Sequence, residues 1–238
     1  MIPKTIHCCW FGRGEKPKLA QKCIESWKKY CPDYEIIEWN EDTFNVNLND
    51  YTRFTYEHEL YAYLSDYVRL WAVENKGGVY FDTDVELIKP IDSLLQYDAF
   101  WGFEDNKYIT SGVGFGSIAN HQILRLIMEE YEKLSYEELS ERYKNNSMKG
   151  SPRMNTYPLL RYGLLQNGER QSVLGAEIFP KEYFCPLDDY TGKLHLTENT
   201  LSIHWYTKSA NSKYARIKSK YSRLYHRIIQ TVQKNGKA

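Results

Sequence analysis

Two aspartates stand one residue apart within the apolar segment 77–88, GGVYFDTDVELI. Its β-branched and aromatic residues, with two glycines before and a proline after, predict a single strand. Side chains alternate along a strand, so Asp82 and Asp84 would share a face with Tyr80 and Glu86. Carboxylates on a buried strand are costly unless a cation meets them, and a divalent metal shared with a phosphate suits them. The alternative is a strand end whose acids are solvated.

Four further residues have types that suit a nucleotide or a metal. Trp10 ends the first predicted strand beside a glycine, where open α/β sheets bind ligands. Asp66 and Arg69 are three residues apart on a predicted helix and would be neighbours on its surface. His204 stands beside a tryptophan. The alternatives are core packing for Trp10 and His204 and a weak surface ion pair for the other two.

Hydrophobic periodicity predicts the elements that position these residues. A strand at 2–12, a helix at 18–30 and a strand at 34–39 form a β-α-β unit, which implies a parallel pair in a layered α/β fold. The longest helical pattern covers 56–76 and stops at two glycines, whereas 40–56 reads as irregular. The later predictions are strands at 99–103, within 108–117 and within 173–186, helices at 121–133, 136–145 and 150–165, and a last strand or loop at 200–205.

Composition is ordinary for a globular chain of 238 residues, with 42% hydrophobic residues and a formal net charge of zero. No linker or repeat divides residues 1–212, which we expect to be one domain. They hold 23 basic and 31 acidic residues, a net charge of −8 that argues against a nucleic-acid partner. Residues 213–238 hold eight basic residues and no acid. We expect them to form a basic amphipathic helix that packs partly on the domain and contacts anionic lipid.

The sequence also predicts a compartment. The first residues lack the charged region and long apolar run of a signal peptide, and no stretch approaches the ~20 apolar residues of a membrane span. The five cysteines are odd in number and lack metal-binding spacing, which is typical of reduced thiols. We therefore expect a cytoplasmic protein, peripheral at the inner face of the plasma membrane.

Four segments resemble, in order, the motifs of glycosyltransferase family 32. They are IHCCWFG at 6–12, LSDYVRL at 64–70, GGVYFDTDV at 77–85 and LSIHW at 201–205. The series Ser-Asp, Arg, Gly-Gly, Tyr and Asp-x-Asp also resembles the glucosyltransferase domain of the large clostridial toxins. The order and spacing of four motifs is far more specific than any one of them.

The resemblance implies a GT-A fold, in which a single α/β domain has a Rossmann-like nucleotide-binding sheet, flanking helices and an acceptor side. By correspondence of the motifs, Trp10 would stack on the base of a nucleotide-sugar. Asp66 and Arg69 would contact the donor sugar or the nucleotide. Together with Asp84 they are the candidate catalytic residues.

The resemblance also implies a metal site. Asp84 would bind the ion directly, Asp82 would contact the ribose or a metal-bound water, and His204 would complete the metal or diphosphate site. The ion would be Mn²⁺ or Mg²⁺, and an imidazole fits Mn²⁺ better. Ser209 would contact the diphosphate, but Ala210 follows it where the family often has a tryptophan, so this contact departs from the pattern.

The resemblance therefore implies a metal-dependent transferase. We expect it to move a hexose from UDP-galactose or UDP-glucose to a glycan or lipid-linked oligosaccharide in the synthesis of a bacterial surface polysaccharide such as a capsule. The alternatives are a mannosyltransferase that uses GDP-mannose and a non-catalytic module that binds a nucleotide or sugar.

We expect retention of the donor's anomeric configuration, as in family 32. An inverting enzyme needs a base beside the acceptor, and no motif places one. Glu104, Asp105, Asp188 and Asp189 are the loose candidates for such a base.

A glycoside hydrolase is a weaker alternative. Two carboxylates on one strand would lie about 7 Å apart from strand rise, within the inverting range. However, Asp82 and Asp84 would point the same way rather than flank a bond.

Overall fold

The computed structural model describes residues 1–189 and 191–207, and a mixed β-sheet runs through its centre. The strands within these ranges are β1 (Thr5–Cys9), β2 (Glu35–Trp39), β3 (Gly78–Tyr80), β4 (Val85–Leu87), β5 (Ala99–Phe103), β6 (Ile109–Thr110), β7 (Phe115–Ser117), β8 (Gln171–Val173), β9 (Ala176–Phe179) and β10 (Ser202–His204). The main sheet has the order β2-β1-β3-β7-β5-β9-β8, with β6 beside β5, whereas β4 and β10 form a separate pair.

Helices cover the main sheet and enclose two apolar clusters. They are α1 (Lys18–Tyr30), α2 (Asp50–Glu57), α3 (Tyr61–Lys76), α4 (Gln122–Glu132), α5 (Tyr136–Lys144) and α6 (Ser151–Leu160). One cluster holds the apolar side chains of α2 to α6, and the other holds Trp27 of α1. Cys8 and Cys9 of β1 lie in different clusters, as expected when neighbouring strand residues face opposite sides. The predicted layered α/β fold is confirmed.

Strand directions place three loops at one edge of the sheet. β1 runs parallel to β2 and to β3, so the predicted β-α-β unit is present. β7 is antiparallel to both β3 and β5, and β3 and β5 therefore point the same way. The residues that follow β1, β3 and β5 are Trp10, Phe81 and Glu104. Ligands bind at such carboxyl ends in open α/β sheets.

The prediction of one strand over 77–88 is wrong. β3 ends at Tyr80, the chain then turns, and β4 pairs with the distant β10 rather than with the main sheet. The Val85 amide donates to the Asp82 carbonyl at 2.9 Å and closes the turn. Asp82 and Asp84 thus belong to a turn between two sheets, and their separation does not follow from strand rise.

The region 40–56 is also more ordered than predicted. It contains the start of α2, where Asn49 accepts from the Thr52 amide and the Thr52 hydroxyl accepts from the Asn49 amide. This reciprocal cap uses a threonine where the usual motif has Glu or Gln. The sequence therefore does not match the usual capping-box pattern. The predicted helix at 56–76 begins only at Tyr61.

Several other predictions are confirmed or remain open. The helix over 18–30 and the strand over 99–103 have the predicted bounds, and all five cysteines are free and buried. Among the described residues, no helix has the length and apolarity that crossing a bilayer requires. Residues 208–238, with Ser209, Ala210 and the predicted basic helix, lie outside the described part. The division at residue 212 stays a prediction.

His7 is a buried polar residue at the centre of β1. Its Nε2 donates to the Gly77 carbonyl at 2.8 Å, and its Nδ1 accepts from the Trp39 indole N–H at 3.2 Å. Both ring nitrogens are therefore used by a neutral imidazole. Burial lowers the pKa of His7 below its usual value of 6.5.

We expect the melting temperature to fall as the pH drops below about 6.5, because the unfolded chain then takes up a proton that folded His7 refuses. Stability from this source is complete above that pH and is lost below it. Calorimetry between pH 8 and pH 5 should show a smaller fall for His7→Gln than for wild type, although His7→Gln starts from a lower melting temperature. His195→Gln, at an exposed histidine, is the control. An equal fall in His7→Gln and wild type would contradict the assignment.

Candidate active site

Three side chains meet at the turn between β3 and β4. The possible ligand atoms of Asp82, Asp84 and His204 all lie within 4.8 Å of one another. The pairing of β10 with β4 brings this about, because His204 stands opposite Val85 in the antiparallel register. The structure therefore joins the Asp-x-Asp motif to the C-terminal His-Trp segment.

Asp84 is held in place by the C-terminal segment. Its Oδ2 accepts from the Thr207 amide at 2.9 Å and from the Thr207 hydroxyl at 2.8 Å, and its Oδ1 lies 3.2 Å from His204 Nε2. Burial opposes ionisation, but these partners outweigh it and hold the pKa of Asp84 well below its usual range. The Asp84 carboxylate also raises the pKa of His204 against the effect of burial. Without a metal, the two form an ion pair.

Asp82 faces the interior of the domain. Its Oδ1 accepts from the Tyr80 hydroxyl at 2.8 Å and lies 3.2 Å from Arg69 Nη2. Burial raises the pKa of Asp82, and the Arg69 charge opposes that rise. The two aspartates of the motif are thus held differently, Asp84 by the C-terminal segment and Asp82 by α3 and β3.

Asp66 and Arg69 form a buried pair, and the surface ion pair considered from sequence is wrong. Their exposed fractions are 8% and 4%, and Arg69 Nη2 lies 3.0 Å from Asp66 Oδ1. Burial raises the pKa of Asp66 to about 7, against the opposing charge of Arg69 and the donors of Ser151 at the start of α6. Arg69 therefore links Asp66 with Asp82.

Trp10 lies at the carboxyl end of β1 and is half-exposed. Its indole N–H donates to the Gly14 carbonyl at 2.6 Å, and Lys16 Nζ lies 5.6 Å from the ring centroid. Trp10 is not part of the buried core, so the core alternative does not hold. Lys16 also pairs with Glu38 at 2.8 Å.

Sequence reasoning missed several residues that shape this site. Thr207 holds Asp84, and Ser151 lies close enough to Asp66 to oppose the rise in its pKa, from a helix that the sequence predicted only in outline. The backbone of Gly112 lies close to the side chains of Asp82 and Arg69. A Cβ there would lie 2.5 Å from Asp82 Oδ2 and 2.9 Å from Arg69 Nη1. The run of small residues at 111–116 was the available signal, since such residues permit close approach of another group.

The residues present suit a divalent cation. Two carboxylates and an imidazole form a donor set of the kind that binds Mn²⁺ or Mg²⁺. Within residues 1–189 and 191–207, His204 Nδ1 is buried and makes no hydrogen bond, whereas Nε2 faces Asp84. Asp82, Asp84 and His204 would hold the ion, and His204 would lose its proton on binding.

We expect Gly112→Ala to weaken Mn²⁺ binding about tenfold or more, because the new methyl group must displace Asp82 or Arg69 and groups that orient ligands typically matter that much. Isothermal titration with Mn²⁺ measures the change. Gly14→Ala is the matched control, since a Cβ at that exposed glycine meets nothing within 4 Å. Wild-type affinity in a folded Gly112→Ala protein would show that this contact does not position the aspartate.

A comparison with models of protein families gives a match to the region around the Asp-x-Asp motif. Residues 17–101 match the family model described as a glycosyltransferase sugar-binding region containing a DXD motif. The matched region contains Asp66, Arg69, Asp82 and Asp84, whereas Trp10 and His204 lie outside it.

Curated relatives are similar over part of their length. Inositol phosphoceramide mannosyltransferase 3 of Schizosaccharomyces pombe is 30% identical over 142 residues, which are 57% of this chain and 38% of the relative. Mannosyl phosphorylinositol ceramide synthase CSH1 of Saccharomyces cerevisiae is 28% identical over 147 residues, which are also 57% of this chain and 38% of that protein. The chain spans less than two fifths of the length of either relative.

Among solved structures, a bacterial-toxin-type glycosyltransferase domain is one that matches the fold. The PaToxG glycosyltransferase superposes with a TM-score of 0.52 at 18% identity, over 67% of this chain and 69% of that one. This likeness supports the architecture rather than a substrate. The resemblance seen in the sequence motifs is therefore confirmed: residues 17–101 match the DXD sugar-binding region, and the chain has a GT-A-type fold.

Proposed function

We propose that the protein is a metal-dependent glycosyltransferase that moves a sugar from a nucleotide-sugar to a hydroxyl group of an acceptor. The observation that supports this most is the cluster of Asp82, Asp84 and His204 at the carboxyl edge of the sheet. Two of its members lie in the region that matches the DXD family model. A metal at this place is the feature that a departing diphosphate requires.

The donor we favour is GDP-mannose. The fungal relatives described above are named as mannosyl-transferring proteins, which supports the alternative from the sequence over UDP-galactose or UDP-glucose. They give no support to a role in bacterial polysaccharide or capsule synthesis. The chain covers only part of the length of those relatives. Their names therefore support GDP-mannose as the donor of this chain only as a proposal.

Each residue of the site has a role in this proposal. A bound Mn²⁺ or Mg²⁺ would neutralise charge that develops on the leaving diphosphate. Trp10 stacks on the base through its exposed ring, and Lys16 contributes positive charge beside it. Arg69, buried between two aspartates, opposes the rise that burial causes in the pKa of Asp82. Asp66 contacts a donor hydroxyl and accepts its hydrogen bond.

The reaction we propose retains the α configuration. The acceptor oxygen forms a bond to the anomeric carbon on the face that the diphosphate leaves, and the carbon–oxygen bond to phosphate breaks. The acceptor proton passes to the departing phosphate oxygen, so no enzymatic base is needed. Asp82 and Asp84 are occupied by the metal and their protein partners, which supports this assignment over inversion.

The names of the same relatives support a choice of acceptor class. Their names contain inositol phosphoceramide or phosphorylinositol ceramide, a lipid with a phosphoinositol headgroup. We propose a lipid-linked or glycan hydroxyl as the acceptor here. Contact of the basic residues 213–238 with an anionic membrane, and the cytoplasmic location, remain predictions, since those residues lie outside the described part of the chain.

We expect turnover to vanish in EDTA and to return with Mn²⁺, and less well with Mg²⁺. Asp84→Ala should lose roughly a thousandfold in rate, since several kcal/mol of charge stabilisation disappear, and more than Asp82→Ala loses. Asp33→Asn, at an exposed acid that pairs with Lys4, is the control. Full activity of Asp84→Ala in chelator would refute the metal assignment.

A panel of nucleotide-sugars tests the donor and the stereochemistry together. We expect hydrolysis of GDP-mannose in the absence of acceptor to exceed that of UDP-galactose, UDP-glucose and UDP-N-acetylglucosamine. The sugar transferred to inositol phosphoceramide should be α-linked, which the one-bond carbon–hydrogen coupling at the anomeric carbon reports by NMR. A β-linked product would point to inversion. Tight binding of GDP without turnover of any donor would indicate a non-catalytic module.

A further inference from the structure

The turn between β3 and β4, which holds Asp82 and Asp84, is called the motif turn. Glu104 and Trp10 lie on opposite sides of it. β3 and β5 are parallel and are separated by β7, so their ends are about 10 Å apart at normal strand spacing. Trp10 follows β1, on the other side of β3. If the nucleotide lies over Trp10, the sugar and the incoming acceptor lie toward the end of β5, where Glu104 begins the next loop.

The carboxylate of Glu104 lies near the charges of His204 and Asp82 and forms no salt bridge within residues 1–189 and 191–207. The residue is half-buried, and its amide donates to the Tyr108 carbonyl at 2.8 Å, which closes the loop. Burial raises the pKa of Glu104, His204 opposes the rise, and the charges of Asp105, Asp189 and Asp82 add to it. Cys185 and Tyr206 also lie close enough for Glu104 to influence them.

Glu104 stands apart from the other acids that the sequence offered as candidates for a base. Asp105 Oδ1 accepts from the amides of residues 107 and 108 and holds the loop. Asp188 Oδ1 accepts from the Thr191 amide and holds another turn. Asp189 lies near Glu104 but follows no strand that ends at the motif. Glu104 is also outside the group of ligand atoms that lie within 4.8 Å of one another.

We propose that Glu104 binds the acceptor and accepts a hydrogen bond from the hydroxyl group that receives the sugar. The inference rests on the proposed transferase function and adds a residue to it. A carboxylate that is partly exposed, forms no salt bridge within the described residues and lies beside the metal candidates is suited to orient an O–H donor. The hydroxyl proton still leaves with the diphosphate oxygen, so Glu104 orients the nucleophile and need not take the proton.

Water is the smallest hydroxyl acceptor and serves as the probe. Glu104→Gln keeps the shape of the side chain and removes its charge. Because the amide oxygen of Gln still accepts a hydrogen bond but carries no charge, we expect kcat for hydrolysis of GDP-mannose to fall about tenfold, the difference between a bond to a charged and to a neutral acceptor. The KM for GDP-mannose and the Kd for GDP with Mn²⁺ should stay at wild-type values. Asp105→Asn is the matched control, because asparagine still accepts from the loop amides.

Each other outcome has a distinct meaning. A raised KM or a weaker GDP–Mn²⁺ complex in Glu104→Gln would place the residue on the donor or the metal and overturn the proposal. Wild-type kcat in Glu104→Gln, or an equal loss in Asp105→Asn, would overturn it too. If wild-type protein hydrolyses GDP-mannose slowly, the donor with the highest rate in the panel replaces it. If wild-type protein hydrolyses no donor, the proposed function itself fails.

Discussion

The site depends on the ion pairs that the buried guanidinium of Arg69 makes. A charge that is removed from water must be paired, and Arg69 meets that requirement with two carboxylates, Asp66 from its own helix and Asp82 from the motif turn. Loss of the arginine would leave two acids buried together without a counter-charge, and breaking a buried ion pair typically costs about 4 kcal/mol. The ion pair between Arg69 and Asp82 therefore links α3 to the turn that follows β3.

The second constraint is the small sheet of β4 and β10. Its pairing brings Thr207 to Asp84, a contact between residues 123 apart in sequence. The Trp205 amide adds a bond to the Asp84 carbonyl at 3.0 Å. The motif turn is thus held on one side by Arg69 of α3 and on the other by Trp205 and Thr207. This arrangement orients the two aspartates independently, because each has its own set of partners.

The carboxyl edge of the main sheet places these parts in a row. Trp10, the motif turn and Glu104 follow parallel strands in the order β1, β3 and β5. Their separation comes from the spacing between strands, a property of the sheet rather than of any one loop. In the proposed function, this row orders the base, the diphosphate and the acceptor, with Gly112 allowing the loop before β7 to approach Asp82 and Arg69.

The sequence by itself determined the elements with strong local patterns and the residues able to do the chemistry. The helix over 18–30, the β-α-β unit and the strand over 99–103 follow from periodicity, which is a local property. The motifs named Trp10, Asp82, Asp84 and His204. Only the tertiary structure decided that the strand over 77–88 breaks at the motif, because the pairing of β4 with a strand more than a hundred residues later is invisible in local periodicity. Burial likewise depends on distant packing, and it turned the ordinary helical spacing of residues 66 and 69 into an interior charge pair.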